Sequence, residues 1–329
     1  MNATQKNIIK YSLSFLLAGV LVYFAFRSVN WSEFWDGFLE TRWGYVALYI
    51  VASIGALVFR MFRWQALVKP LDSQCKALTV WDANNVGNLT NVVLPGSGEI
   101  VRCGYVSSKR AGFDKVFGTV LMERIWDILA IAVLLVTVLA VNWSRFGGFF
   151  MESIWNPVVS GKSTAIWYVA AGLVLVAVFL WLVFRYKDRN KLCARIAGFF
   201  SGLGNGFTSF RQIEHKLLFA FYTVGIWFMY ILMVYFILKA LPAFEGCTFV
   251  DALFISAVGN LASIIPVPGG IGAYHYLVAL TLSSLYGASW DAGILFATLS
   301  HELHAILIIV LGVASYLRIS LQKKRSVEA

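Results

Sequence analysis

The sequence predicts an all-α polytopic membrane protein of about six transmembrane helices plus two re-entrant helical hairpins in an inverted repeat. Three observations predict it. Hydrophobic residues make up 59% of the chain and charged residues 13%, with a mean hydropathy of +0.74, whereas ordinary soluble domains carry roughly a quarter charged residues. Several apolar stretches reach the roughly 20 residues that cross a bilayer core. Finally, a broken apolar motif occurs twice. Val86-Gly87-Asn88-Leu89 leads to Pro95-Gly96-Ser97-Gly98, and Val258-Gly259-Asn260-Leu261 leads to Pro266-Val267-Pro268-Gly269-Gly270-Ile271-Gly272.

The spanning segments are read as 8–26, 44–63, 115–141, 165–185, 215–240 and 291–318. The first is long for a signal peptide and no small-residue cleavage site follows it, so it is expected to remain as a helix. Between the first two spans, Asn30 to Leu39 places aromatics on one face, the pattern of a helix lying in the membrane interface. The stretches 78–107 and 249–287 are each broken by Pro and Gly. Proline removes a backbone donor and clashes with the preceding turn, so neither is expected to form one continuous helix. Each is read as a hairpin of two half-helices, the alternative being a pair of kinked full spans. The chain is treated as one transmembrane domain over 1–329, with pseudo-repeats near 44–141 and 213–318.

Charge supplies the orientation. Lys6 and Lys10, the cluster from Arg60 to Lys76, Lys109 to Lys115, the stretch from Arg185 to Lys216 and the tail from Arg318 to Arg325 all fall on one side if both termini are cytoplasmic. Segments 142–164 and 241–248 carry only Arg145 and Lys162. The expected location is therefore the cell inner membrane, multi-pass, with N- and C-termini in the cytoplasm. Three spans separate the hairpins, so they are expected to dip in from opposite faces, an architecture of alternating-access transporters. The net charge of +10 is explained by these loops, and no nucleic-acid partner is expected. Cys75, Cys103, Cys193 and Cys247 have no C-x-x-C spacing, so neither disulfides nor zinc are expected.

The candidate substrate-binding residues come from the two repeats. Each break ends at the N-terminus of a half-helix, near Glu99 and near Gly272, where unpaired N–H groups and the helix dipole favour an anion. From the first half the candidates are Pro95, Gly96, Gly98, Glu99, Arg102, Glu123, Arg124 and Asp127; from the second, Pro268, Gly269, Gly270, Gly272, His275, His301 and His304. Glu99 and Arg102, three residues apart, are read as either a headgroup contact or a local ion pair. Glu123, Arg124 and Asp127 form a polar patch at helical spacing, with His301 and His304 in the corresponding places of the second half. Arg60 and Arg63 are read first as cations snorkelling to the interface and second as attractors of anionic lipid. The aromatic abundance is assigned to the interfacial belt. His301-Glu302-Leu303-His304 lacks the i,i+4 spacing of a zinc helix, so no metal or other cofactor is expected.

At these residues the chain resembles the lysylphosphatidylglycerol synthase transmembrane-region family, the flippase-like membrane domains, over roughly 10–318. The resemblance rests on Leu94-Pro95-Gly96-Ser97-Gly98-Glu99 with Arg102, on Glu123-Arg124 with Asp127, and on Pro266 to Gly272. It implies a lipid-translocating module for a modified or anionic phospholipid or a related lipid-linked substrate. Ser97 stands where the family often has a basic residue, His275 where it commonly has Glu, and His301 where a basic residue is usual. The soluble aminoacyl-transferase domain of the two-part synthases is not in this sequence, so lipid lysylation is not expected. With no hydrolase elbow, Walker motif or dinucleotide fingerprint, the chain is read as a transporter and not an enzyme. An intramembrane lipid-modifying enzyme, or a non-catalytic membrane partner of an envelope lipid or glycan synthase, is the alternative. The expected partners are the lipid itself and an envelope biosynthesis enzyme, and an oligomer is compatible with the sequence.

Overall fold

The computed structural model describes residues 19–94, 96–156, 181–187, 190–262 and 270–328, with Leu16 and Val178 as isolated positions. Among the described residues every regular element is helical. Residues 19–26 form a helical piece of the first expected span. The numbered helices follow: α1 (Trp31–Leu39), α2 (Trp43–Val68), α3 (Ala77–Val93), α4 (Ser97–Val106), α5 (Phe113–Val141), α6 (Trp143–Phe150), α7 (Lys191–Thr208), α8 (Lys216–Ala240), α9 (Phe249–Leu261), α10 (Ala273–Tyr286) and α11 (Trp290–Glu328).

Four described helices are long and apolar enough to cross a membrane: α2, α5, α8 and the Trp290–Lys323 part of α11. They correspond to the second, third, fifth and sixth expected spans. Much of the first span, and residues 165–177 and 179–180 of the fourth, lie outside the described residues.

Both expected helix breaks are present. α3 ends at Val93 and α4 starts at Ser97 behind Gly96, whose φ of 79° is left-handed. α9 ends at Leu261 and α10 starts at Ala273 behind Gly272, with Gly270 and Gly272 at φ 77° and 80°. These φ values carry no steric cost only for glycine. Pro95, Pro268 and Gly269 lie outside the described residues.

Each helix pair is tied at its base. Ser108 Oγ donates to Asp72 Oδ2 at 2.7 Å beside the first pair, and Tyr286 Oη donates to Asp251 Oδ1 at 3.0 Å at the second. Asp251 also closes a capping box with Thr248 at the start of α9, satisfying two otherwise unpaired helix-terminal donors. The long α11 touches both pairs. Near its C-terminal end Arg318 forms a two-point ion pair with Asp82 of α3, and Ser315 accepts from Asn85. At its start, Trp290 follows Tyr286 by way of residues 287–289. From Trp290 to Arg318 the helix rises about 42 Å at 1.5 Å per residue, more than the roughly 30 Å hydrocarbon core. The bases of the two helix pairs therefore sit at opposite ends of one rod.

α2 and α8 run antiparallel along each other. Arg42 N donates to Ala240 O at 2.9 Å, and farther along Gly55 faces Met229 and Gly225 faces Phe59. Arg42 also holds Glu245 by a bidentate ion pair at 3.0 and 3.1 Å. That hydrogen-bonded guanidinium keeps the Glu245 carboxyl below the usual carboxylate range.

One stretch read as a cytoplasmic loop is instead ordered as α7. Gly202 and Gly206, one helical turn apart, press against Asp114, Lys115 and Gly118 at the start of α5. Small residues let two helix backbones approach this closely, and the basic residues of the segment masked that signal. α1 exposes Trp31 and Trp35, at 54% and 55%, while burying Phe34. Two apolar cores fill the interior. One, around Trp64, Val80, Cys103 and Phe219, backs the first helix pair; the other, around Tyr49, Ile255, Val278 and Phe296, backs the second.

Candidate functional site

A cavity of about 470 Å³ lies between these two cores. The first break reaches it through Asn88, Asn91 and Val92 at the end of α3; the second through Asn260, Ala262, Gly270 and Ile271. The asparagine of each Val-Gly-Asn-Leu copy thus faces the same space. The duplication was visible in the sequence, but its asparagines carried no charge to mark them as site residues.

On the first side, α5 presents Arg124 and Asp127 to the cavity. Behind them is a buried ion-pair network. Arg63 Nη1 lies 2.7 Å from Asp127 Oδ1, and its Nη2 lies 3.4 Å from Glu123 Oε1. Arg102 Nη1 lies 2.8 Å from Glu123 Oε2 and donates to Asn84 Oδ1 at 3.1 Å. Arg124 Nη2 lies 2.7 Å from Glu99 Oε1, and its Nη1 is 3.7 Å from Asp127 Oδ2. Arg102 also stacks over Trp64, 4.5 Å from the ring centroid.

One expected pairing is therefore corrected. Glu99 and Arg102 do not pair with each other: each reaches α5, Glu99 through Arg124 and Arg102 through Glu123. Cross-helix partners win because Arg102 is buried on the face toward α5 while Glu99 remains partly exposed. Within the α5 patch, Glu123 turns away from Arg124 and is only 1% exposed. The reading of Arg63 as a snorkelling cation is also overturned, since it is fully buried and ion-paired.

Arg60, one turn earlier on α2, lines the cavity. Its Nη1 donates to Tyr230 Oη at 3.3 Å, and among the described residues no carboxylate lies within ion-pair distance. Four guanidinium groups (Arg60, Arg63, Arg102 and Arg124) thus face three carboxylates (Glu99, Glu123 and Asp127), leaving one positive charge over at the cavity wall.

The second side is lined by hydroxyl, imidazole, amide and apolar groups. Tyr49 Oη donates to the Ser300 carbonyl, and Tyr274 Oη meets Ser300 Oγ at 3.0 Å. Ser53 Oγ lies 2.7 Å from His304 Nδ1. His301 and His304 line the cavity. His275 is buried behind them, 2% exposed, with its ring centroid 5.2 Å from that of His301. His301 Nδ1 lies 2.9 Å from Glu302 Oε1, and donor atoms of His275, His301 and Glu302 all lie within 4.8 Å of one another. This is the one group of possible metal donors found among the described residues.

Of the expected site residues, Arg124, Asp127, Gly270, His301 and His304 line the cavity. Glu99, Arg102, Glu123 and His275 stand behind it. Gly96 is exposed, Gly98 is buried against Gly87 and Asn91, and Gly272 abuts residues 21–22. The N-terminus of α4 is also partly occupied from within, since Asn91 Oδ1 accepts from Gly98 N at 2.8 Å. Tyr49, Trp227, Tyr230 and Tyr274, which composition assigned to the interfacial belt, instead line the cavity.

Of the motifs that carried the resemblance, both breaks border this chamber, Arg124 and Asp127 line it, and Glu123 is buried behind it. The chain belongs to the lysylphosphatidylglycerol synthase transmembrane-region family. The family model, described as the lysylphosphatidylglycerol synthase TM region, matches residues 11–312 and so takes in every cavity-lining residue. Membership in this transmembrane family places the chain among multi-pass membrane proteins of lipid metabolism. No curated protein and no solved structure matches the chain.

Proposed function

We propose that this member of the family is a lipid translocator, carrying a phospholipid or lipid-linked headgroup through the central cavity while the acyl chains remain in the bilayer. The observation that carries this reading is the cavity itself, bounded by both helix breaks and lined by a guanidinium, Arg60, with no carboxylate at ion-pair distance among the described residues. A fixed uncompensated cation in a low-dielectric wall favours an anionic phosphate over a neutral solute. The asparagines and the Tyr, Ser and His groups opposite supply hydrogen bonds to the rest of a headgroup.

In this reading α3–α4 and α9–α10 are re-entrant hairpins that dip in from opposite faces. The support is their attachment at opposite ends of α11. Non-helical backbone at membrane depth is tolerated where protein or a wet cavity satisfies it, and the described residues flanking the breaks, among them Asn91 and Gly270, line the chamber. Rocking of one half against the other would open the chamber to each leaflet in turn. Exposed apolar residues of α5, Ile128, Val133 and Val136, offer a flank along which acyl chains can slide. The protein is placed in the inner membrane with both termini cytoplasmic, α1 in the interface, and no chemical step of its own. Energy would come from a gradient or from removal of the lipid on the far side.

The test is a leaflet-resolved assay of a fluorescent anionic phospholipid in proteoliposomes. Wild type should exchange leaflets well above empty vesicles, with Arg60→Ala and Arg124→Ala slower. Equal rates in wild type, variants and empty vesicles would remove the proposal.

A further inference from the structure

We propose that His275, His301 and Glu302 form a binding site for a divalent transition-metal ion such as Zn(II), clasping α10 to α11 beside the cavity. The inference rests on side-chain placement and is independent of lipid movement.

The donors come from two helices. His275 is near the start of α10, just after the second break, and His301 and Glu302 are neighbours on α11. His275 Nε2 lies 3.8 Å from Glu302 Oε1, and His301 Nδ1 lies 2.9 Å from the same oxygen. Ligands on a tetrahedral zinc at about 2.0–2.1 Å sit roughly 3.3 Å apart. The two separations to Glu302 bracket that value, and the remaining one, between the two imidazoles, is within 4.8 Å and closes by a tilt of the His301 ring at the cavity edge.

A second observation singles out His275. Its ring is 98% buried, packed 5.5 Å from the Phe26 ring, yet Nδ1 has no hydrogen-bond partner among the described residues. Its other nitrogen faces Glu302 beyond hydrogen-bond length. Buried polar groups are nearly always satisfied, so an imidazole held dry in this way needs a reason for its place. A metal ion between Nε2 and Glu302 would give this ring a strong contact that fixes its orientation, with Nδ1 remaining on the side away from the ion.

The donor chemistry selects the class of ion. Two imidazoles and one carboxylate suit zinc, copper, nickel or ferrous iron, and not calcium or magnesium, which take oxygen ligands. Three protein donors leave a fourth position for water, and because His301 lines the cavity that position opens toward the chamber. Spacing rules applied to α11 alone could not find this site, because the third ligand belongs to α10.

The probe is the metal alone. Chelator-treated full-length protein in detergent would be titrated with Zn(II) by calorimetry and with Co(II) by visible absorption, which reports coordination geometry. Wild type should take up one ion and show a rise in Tm with zinc. Glu302→Gln and His301→Asn should weaken binding by about tenfold or more and abolish the Tm rise, while His215→Ala should change neither. Glu302 is half exposed, so its variant is expected to fold, and Tm without metal checks this. Substoichiometric uptake by wild type, affinity unchanged in Glu302→Gln and His301→Asn, or loss of binding in His215→Ala or in Cys75→Ser with Cys193→Ser would each overturn the site.

Discussion

The two helix pairs begin from the same tetrapeptide and close in different ways. In the first, Gly87 meets the backbone of α4: a methyl added there would stand 2.8 Å from the Gly98 carbonyl oxygen and 3.1 Å from Arg102 Cβ. In the second, the corresponding Gly259 meets an aromatic ring, with the added methyl 2.9 Å from Tyr274 Cε2. The chemistry around them diverges in the same way. The first pair is anchored to α5 by the buried Arg102–Glu123 ion pair and the partly exposed Glu99–Arg124 one, the second to α11 by hydroxyl and imidazole contacts. A duplicated backbone device can thus serve as a rigid wall on one side and an adjustable one on the other. Ion pairs in low dielectric hold one geometry and penalise its loss heavily, whereas a ring or hydroxyl can shift and find another partner.

Breaking the rigid side should have the largest effect. Glu123→Ala removes the carboxylate shared by Arg63 and Arg102 and leaves buried positive charge uncompensated, an expected loss of about 3–5 kcal/mol, read as a fall in Tm and in folded yield. The double replacement Arg102→Met with Glu123→Leu should recover much of that loss, since an apolar pair of similar volume avoids the stranded charge. If the double variant is as unstable as the single one, the network matters for something other than charge balance.

The glycines sharpen the contrast. Gly87→Ala should cost about 2–3 kcal/mol because backbone has to move, and Gly259→Ala less than about 1 kcal/mol because the Tyr274 ring can swing aside. Matching thermal shifts in the two variants would mean that the halves are equally stiff.

Next comes the cavity cation. Arg60→Ala should slow lipid exchange about tenfold, equivalent to about 1.4 kcal/mol, while leaving Tm nearly unchanged, because Arg60 makes no ion pair among the described residues. A large Tm loss with unaltered exchange would assign Arg60 to the scaffold.

The smallest effect lies at the base of the first pair. Ser108, the Gln74 amide and Arg110 hold the Asp72 carboxyl below its ordinary range, against the opposing pull of burial. A depressed acid stabilises the fold above its unfolded pKa of about 3.9, and that contribution is lost as pH falls through the lower folded value. Asp72→Asn should therefore speed amide exchange in residues 107–111 at neutral pH. Wild type should approach the variant, after correction for intrinsic rates, only as pH falls below the ordinary carboxylate value of about 3.9.

Much of the architecture was legible because its causes are local. Length and hydropathy place α2, α5, α8 and α11, and proline with glycine places both helix breaks. α7 was hidden because its packing depends on Gly202 meeting Asp114 and Gly206 meeting Lys115 and Gly118, a long-range fit inside a basic segment. The candidate site was half legible. Charged residues stood out against an apolar background, so Arg124 and Asp127 were found; their partners were not, because i,i+3 and i,i+4 spacing says nothing about α4 meeting α5. Asn88, Asn260, Tyr230 and Tyr274 were passed over because uncharged polar and aromatic side chains are common in membrane helices. Only the chamber separates them from that background.

The last helix is unbroken from Trp290 to Glu328, although it carries His301, Glu302 and His304 partway along. A stiff beam fastened near both tips cannot be displaced at one without levering the other. Any tilt that frees Asp82 from Arg318 is felt beside Trp290, so the bases of the two helix pairs are coupled through one rod.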